Sequence, residues 1–391
     1  MSIAVDRDQE LIGRVIAIAD EVAAVHADEV DREARFPAET VAALREAGAL
    51  SALVPETLGG VGASLRAVAA ACFELGRRCS SSAMVFAMHQ IQVATMVRHL
   101  DDAPWFQEYL GELCAQQRLI ASVTSEIGTG GDMGRSIAPL SEAAGGRLHF
   151  TKLAPTVSYG AHADDLLTTV RRCEMAEQSD QVLVLSRREQ TELEQTGTWD
   201  TIGMRGTCSP GFTVRAEIDS GQVLPAPFSD VMNQTHVPIS HILWSHVWLG
   251  IATEAFERGR AFVRGQAKRA PGQPVPAAAG LSRVMNQLSM LRAEVRSALD
   301  EFERASEEPG RGRLGTMATI LRFNNLKLAA SEQAPLICSA VLELVGIVGF
   351  KNDSPFAVGR LLRDSLSARL MVANARIHDV DAGLLLIAKD V

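Results

Sequence analysis

The chain changes texture twice, and those two changes limit what it can fold into. Up to about residue 118, and again beyond about 229, apolar residues recur at helical spacing. Between them the apolar runs are short, β-branched and separated by Gly, Asp and Pro. Leu11, Val15, Ile16, Ile18, Val22 and Val25 mark a first helix over Glu10 to Glu33. Further helices are predicted over Ala38–Ala47, Leu65–Arg77, Ala83–His99 and around Pro104–Cys114. Pro37 stands where a first-turn proline costs no hydrogen bond, and Ser80-Ser81-Ser82 offers caps. Strands are predicted at Leu119–Thr124, Arg147–Leu153, Leu166–Arg171, Gln181–Ser186, Thr198–Ile202 and Gly211–Ile218, as an antiparallel sandwich or barrel ending near Phe228. Long helices follow over Ile239–Lys268, Gly280–Ser306, Leu314–Val348 and Pro355–Asp390. Short breaks at 270–276, 307–313 and 351–354 make them a four-helix bundle. The expected fold is α+β multidomain: a helical domain (1–118), a middle antiparallel β-domain (119–228) and a C-terminal four-helix bundle (229–391). No βαβ alternation and no G-x-G-x-x-G occurs, which argues against a Rossmann nucleotide site.

Composition narrows the functions. Among 391 residues, 38 Lys and Arg stand against 47 Asp and Glu, a net charge of −9. That balance argues against a phosphate-backbone partner, so no nucleic acid is expected. No run of about eighteen uncharged apolar residues suggests a membrane span, and the N-terminus has no signal layout. A cytoplasmic protein is expected. The six cysteines are scattered, with no metal-ligating spacing, and read as small hydrophobes; Cys208 alone falls in a segment of interest.

Four segments carry more chemistry than their elements require. Thr124-Ser125-Glu126-Ile127-Gly128-Thr129-Gly130-Gly131-Asp132 joins hydroxyls to glycines whose backbone can approach a ligand closely. A plain polar turn explains it equally. Thr156 and Ser158 alternate as in a strand, facing one side, toward a heterocycle edge or toward water. Gly203-Met204-Arg205-Gly206-Thr207 sets an Arg in a turn that suits an anionic group, or simply a solvated loop. Gly346 and Gly349 sit at a helix end, where glycine ordinarily caps.

Taken with Pro55-Glu56-Thr57-Leu58-Gly59-Gly60 and Arg363-Asp364, these segments occur in an order that resembles the acyl-CoA dehydrogenases across nearly the whole chain. The resemblance implies a flavoprotein holding FAD between the β-domain and the bundle, usually as a tetramer built as a dimer of dimers. It implies flavin contacts at Val123, Thr124, Ser125, Thr156 and Ser158, with Thr129 near the substrate. It places Lys268 or Arg269 against a neighbour's FAD, Glu343 and Gly346 against the adenine half, and Asn374 and Arg376 near the diphosphate. The implied substrate is an acyl thioester on CoA or a carrier protein, and an electron-acceptor flavoprotein is an implied partner.

The chain departs from that pattern at the base. Removing an α-proton beside a thioester calls for a carboxylate, and where the family usually has Glu this chain has Val372. The alternative position, at the first helix of the bundle, matches Ser240, and no Asp or Glu occurs between Val231 and Thr253. His89, His246 and His378 are the candidates left for acid–base work, with His89 also facing the implied acyl pocket. His241 and Ser245, four residues apart, share a further helix face. For each histidine a structural role is the alternative. Three functions follow: a thioester dehydrogenase with a relocated base, a flavin monooxygenase of the same fold using reduced flavin and O₂, and a non-catalytic partner subunit.

Overall fold

The computed structural model describes residues 2–269, 271–307 and 314–388. The first helix begins at α1 (Ser2–Ile18), passes a wide turn at Ala19–Ala23 and continues as α2 (Ala24–Glu33). Then come α3 (Ala38–Glu46), α4 (Leu65–Arg78), α5 (Ser80–His99) and α6 (Pro104–Gln116). Ser64 caps α4 by accepting the Ala67 N–H at 3.1 Å, and Pro104 opens α6. Pro37 stands just before α3 rather than inside it.

The strands are β1 (Ile120–Val123), β2 (Ser141–Glu142), β3 (Leu148–Ala154), β4 (Asp165–Arg171), β5 (Gln181–Arg187), β6 (Thr191–Gln195) and β7 (Phe212–Ile218). They form two sheets, ordered β1-β4-β5 and β2-β3-β7-β6. The second is antiparallel throughout, but β1 runs parallel to β4, with Ile120 opposite Asp165. The expectation of a wholly antiparallel domain is corrected there. The chain leaves β1, builds β2 and β3 in the other sheet, and returns to β4 in the same direction, which a hairpin cannot do. Residues 198–202 are not a strand: Trp199 Nε1 donates to Met204 O (3.1 Å) and Arg205 to Thr201 O (2.6 Å), closing a loop. The strand in that region is β6, whose polar face hid it; Arg215 on β7 pairs with Glu192 and Glu194.

The C-terminal helices are α7 (Phe228–Val231), a wide turn at Met232–His236, α8 (Val237–Arg269), α9 (Ala277–Glu307), α10 (Met317–Val345), α11 (Ile347–Phe350), α12 (Gly359–Leu366) and α13 (Asn374–Leu385). The break expected at 307–313 falls mostly outside the described residues. The fourth bundle helix, expected to run unbroken from Pro355, is two helices. Val372 between them has φ +45°, which no helix tolerates and a β-branched residue rarely adopts. By length and composition α10 could cross a membrane, but it packs against α8 and α9, and half its apolar window is buried.

One core of buried residues runs from Leu11 through Phe150 and Trp248 to Val345, so the helical and sheet segments share an interior. Helices α4 and α8 cross with a glycine on each side. A Cβ on Gly250 would lie 2.4 Å from Phe73 O, and one on Gly76 would lie 2.7 Å from Val247 O. Backbone against backbone leaves no side chain to give way. Gly250→Ala is expected to destabilise the fold by roughly 1–3 kcal/mol, the usual cost of overpacking, read from the urea midpoint; an unchanged midpoint would show that the crossing has slack.

Candidate functional site

Between the sheets and the bundle lies a cavity of about 820 Å³. That volume suits a small organic ligand or a flat cofactor ring. Its walls come from α5, the loops after β1 and β3, the 199–204 loop, the wide turn before α8, the start of α8, α10, and α12 to α13.

The loop after β1 is held by a buried carboxylate. Glu126 turns inward and accepts from Ser136 Oγ (2.7 Å), Ile137 N (3.1 Å) and Ala138 N (2.7 Å). Lys152 Nζ lies 3.4 Å away, itself donating to Thr169 O and Oγ1. Burial holds Lys152 down to about 8, against the pull of Glu126. This pair explains the hydroxyl-rich stretch: Thr129 Oγ1 bonds Glu126 O and does not line the cavity, while Thr124 and Ser125 do.

Of the residues singled out from sequence, Thr124, Ser125, Thr156, Ser158, Ser240 and Arg376 come together on the cavity wall. Thr156 and Ser158 follow β3 as a loop and do not alternate along a strand. Ser158 accepts from Ser209 Oγ at 3.0 Å. Arg376 donates to Gly130 O at 2.8 Å. Val123 is fully buried on β1 beneath the wall.

His89, His246 and His378, expected as acid–base candidates, lie off the cavity lining. His89 accepts from Ile120 N (3.1 Å) and donates through Nε2 to Leu50 O (2.7 Å), so both ring nitrogens are spent on backbone. His246 donates to Ile242 O within its own helix, and His378 is exposed on α13. Asn374 accepts from Lys327 Nζ (2.5 Å) instead of facing the cavity. Lys268, Arg269, Glu343 and Gly346 are exposed, away from this chain's cavity. The Arg205 guanidinium, expected to suit an anion, is engaged by Asp31 O, Thr201 O and Asp200. Cys208 is half-buried beside Ala34 O and does not line the cavity.

His236, Trp199 and Asn324 also stand on the wall, and nothing local in the sequence marks them. His241 and Trp244 join them from the run that begins at Ser240. That run held a signal: positions four apart share a helix face, so Ser240 and Trp244 point the same way. Val372 also lines the wall, its carbonyl accepting from Lys327 Nζ at 2.9 Å. Burial pushes Lys327 down to about 7. Thus the place where a carboxylate base is expected holds an isopropyl group, its strained backbone pinned from behind.

Among the described residues two carboxylates line the cavity. Asp132 caps its own turn through Gly134 N (3.0 Å), and Asp200 is 87% exposed beside Arg205. No group of three His, Cys, Asp or Glu among the described residues is placed to hold a metal ion.

The family described as "Acyl-CoA dehydrogenase, N-terminal domain" matches residues 6–117. Amino sugar nitrososynthase DnmZ of Streptomyces peucetius is 26% identical over 349 residues, covering 85% of this chain and 82% of that protein. Acryloyl-CoA reductase (NADH) of Anaerotignum propionicum is 23% identical over 401 residues, 97% of this chain and 94% of the other. The protein named "Probable FMNH2-dependent monooxygenase SfnC" of Pseudomonas putida is 26% identical over 255 residues, 63% and 61% of the two. FMN-bound TdsC of Paenibacillus sp. A11-2 superposes with a TM-score of 0.83 at 19% identity, covering 96% and 97%. Butyryl-CoA dehydrogenase of Megasphaera elsdenii superposes with a TM-score of 0.82 at 16% identity, covering 97% and 98%. Residues 6–117 thus match the N-terminal domain of the acyl-CoA dehydrogenases, and the whole chain shares its fold with these solved structures. The names of these relatives cover more than one reaction type, a nitrososynthase, a CoA-thioester reductase and an FMNH2-dependent monooxygenase, which supports an enzyme.

The buried imidazoles set an acid limit on the fold. Burial lowers His89, His236 and His246 from 6.5 to about 4, and His241 to about 3. Below about pH 6.5 the unfolded chain takes up protons that the folded chain refuses. Stability is therefore full above about pH 6.5 and is lost as pH falls toward about 4. Each histidine contributes at most about 1.4 kcal/mol per pH unit across that window. Urea midpoints measured from about pH 7 to 5 should fall steadily, and His246→Leu should flatten the slope; an equal slope would contradict a buried neutral imidazole there.

Proposed function

We propose that the chain is a flavin-dependent monooxygenase that binds reduced FMN and uses O₂. The observation that carries this reading is the carboxylate content of the cavity. Neither Asp132, spent on its own turn, nor exposed Asp200 is a dry base, and the position of the usual base is Val372. Thioester dehydrogenation without a base at the α-carbon lacks its first proton transfer. Inserting oxygen needs no such base.

The wall fits a flavin. Thr124, Thr156 and Ser158 present hydroxyls on the sheet side, and Trp199 offers an aromatic face. Of the two arginines lining the cavity, Arg363 is paired with Asp31, while Arg376 has no carboxylate partner among the described residues. One such cation suits one phosphate, which favours FMN over the FAD expected from sequence. TdsC is FMN-bound in its structure, and SfnC carries FMNH2 in its name. A bound reduced flavin supplies the two electrons that split O₂, one oxygen atom going to substrate and the other leaving as water. The chain's own residues orient the reactants and exclude water: Met84, Met88, Ile91 and Phe323 keep the interior apolar. Under this reading the partner is a reductase supplying reduced flavin, in place of an electron acceptor.

A second reading, a thioester enzyme, is favoured by the near full-length match to acryloyl-CoA reductase. We also propose a homo-oligomer. Phe350 and Leu386 are 68% and 87% exposed, large apolar side chains that a second copy would cover. Lys268, Arg269, Glu343 and Gly346 would reach a flavin only from a neighbouring copy.

The test is anaerobic titration of the purified protein with oxidised and reduced FMN and FAD, then with an acyl-CoA panel. Reduced FMN should bind more tightly than oxidised FMN, and admitted O₂ should be consumed. Thr156→Val and Ser158→Ala should each weaken flavin binding by up to roughly tenfold, about one hydrogen bond. Bleaching of bound flavin by an acyl-CoA would reject the monooxygenase reading and establish the thioester enzyme.

A further inference from the structure

On the bundle side of the cavity, two lining side chains are each oriented by a group behind them. His241 on α8 and Asn324 on α10 are 3% and 6% exposed, and both line the cavity. The Asn324 amide nitrogen donates to the Asp381 carboxylate on α13 at 2.6 Å. An ionised carboxylate only accepts, so the amide cannot turn over without setting oxygen against oxygen. His241 Nδ1 lies 3.0 Å from Phe323 O, and a carbonyl only accepts, so Nδ1 carries the proton. Burial keeps that ring neutral. The atoms left over are Asn324 Oδ1 and His241 Nε2, both lone-pair acceptors. Neither has a protein partner, and neither is sealed off as Ser240 Oγ, Trp244 Nε1 and Gln92 Oε1 are. The two side chains are neighbours, because the carbonyl that holds His241 belongs to the residue before Asn324. His236 lines the same side, but Thr95 Oγ1, 3.4 Å from its Nδ1, can donate or accept and so fixes no tautomer there.

Fixed acceptors select a ligand by its donors. Nearby donors of the protein are engaged elsewhere: Lys327 Nζ donates to Val372 O and Asn374 Oδ1, and Trp199 Nε1 to Met204 O. A ligand that turns only lone pairs to this side, such as an ether, a thioether or a thioester carbonyl, would give up its water for no hydrogen bond. One that turns N–H or O–H inward satisfies the acceptors. We infer that Asn324 and His241 form a subsite that reads hydrogen-bond donors on the substrate, and that Asp381 is the positioning residue that fixes its polarity. The substrate class is accordingly one with N–H or O–H at that end, an amine, an amide or an alcohol. This deepens the monooxygenase reading, and it rests on that reading only in leaving the sheet side of the cavity to the flavin.

Asp381 itself needs an explanation that its helix does not supply. It is 6% exposed, and among the described residues it has no Lys or Arg within ion-pair distance. Burying a carboxylate without a cation beside it is costly. Its one side-chain contact is the Asn324 amide, so the carboxylate acts through Asn324 and is not assigned the chemistry.

The test uses the full-length, flavin-free protein at about pH 8, where a carboxylate is ionised. Ligand-detected NMR titration compares two matched pairs: aniline with N,N-dimethylaniline, and phenol with anisole. Each pair keeps the ring and removes the donor hydrogens. Aniline and phenol should each bind about three- to tenfold more tightly than the methylated partner, the worth of one hydrogen bond. A larger ratio for aniline assigns the substrate's donor to nitrogen, and a larger ratio for phenol assigns it to oxygen. Asp381→Asn keeps a hydrogen bond to Asn324 but lets its amide turn over, and His241→Phe keeps a ring and removes the acceptor. Each should bring the ratios about threefold closer to one while affinity for the methylated probes holds. A merely structural role would weaken all four probes alike, and an unchanged melting temperature reports an intact fold. If His241→Phe does not fold, Asp381→Asn decides alone. No binding of either donor probe, ratios near one in the unaltered protein, ratios untouched by the variants, or displacement of aniline by reduced FMN under anaerobic conditions would overturn the inference. Donor selectivity without O₂ consumption rejects the monooxygenase and keeps the subsite; O₂ consumption without donor selectivity does the reverse.

Discussion

The cavity's walls are tied together at one polar joint between three parts of the chain. Asp364 on α12 is buried, and its carboxylate accepts the Met204 N–H at 2.7 Å, which fixes the 199–204 loop against the bundle. Its neighbour Arg363 pairs with Asp31 on α2, and Arg205 donates to Asp31 O at 2.8 Å. Gly203 makes the approach feasible: a Cβ there would lie 2.1 Å from Arg363 O. Helical N-terminus, sheet loop and C-terminal bundle are thus held at one point. Charged groups so deeply placed are tolerated because each has a partner of opposite sign or a backbone donor. Loosening the joint would cost more than one contact, since the cavity has no wall on that side without the loop.

The interior that results differs from the joint in what it leaves unspent. Burial keeps His89, His241 and His246 neutral and each bonds a backbone carbonyl, so they serve as hydrogen-bonding structure. Lys152 and Lys327 are buried but paired with backbone carbonyls and side chains. Along α8, by contrast, Ser240 Oγ, Trp244 Nε1, Ser245 Oγ and Trp248 Nε1 are buried without a partner. The wide turn at Met232–His236 contributes to the same region: it brings Met232, Asn233 and His236 onto the wall just ahead of α8. Such turns often mark ligand sites, because an extra residue per turn re-aims the side chains that follow.

The order of helices, strands and helices was legible because it rests on local periodicity, and most helix boundaries fell within a few residues. The parallel pairing of β1 with β4 was not legible, since nothing local distinguishes a strand that returns across another sheet from one that turns back. β6 was hidden by its charged face. The 198–202 loop looked like a strand because Trp199 and Ile202 are apolar for a ligand wall and not for a sheet. Motif positions located part of the site. Thr124, Ser125, Thr156, Ser158, Ser240 and Arg376 reached the cavity; His89 did not, because its two ring nitrogens meet backbone from Leu50 and Ile120, segments distant in sequence.

Residue type and spacing decide what can be read along a chain: helical stripes, caps, and the absence of a carboxylate at 372 and through 231–253. Those follow from single residues and their near neighbours. Which hydroxyls face a common space, which histidines are spent and which polar atoms lack a partner depend on groups far apart in sequence. Ser240 and His89 are both buried polar residues in apolar helices. Only the packing of α8 against the cavity leaves the first without a partner, and only the approach of Leu50 and Ile120 satisfies the second.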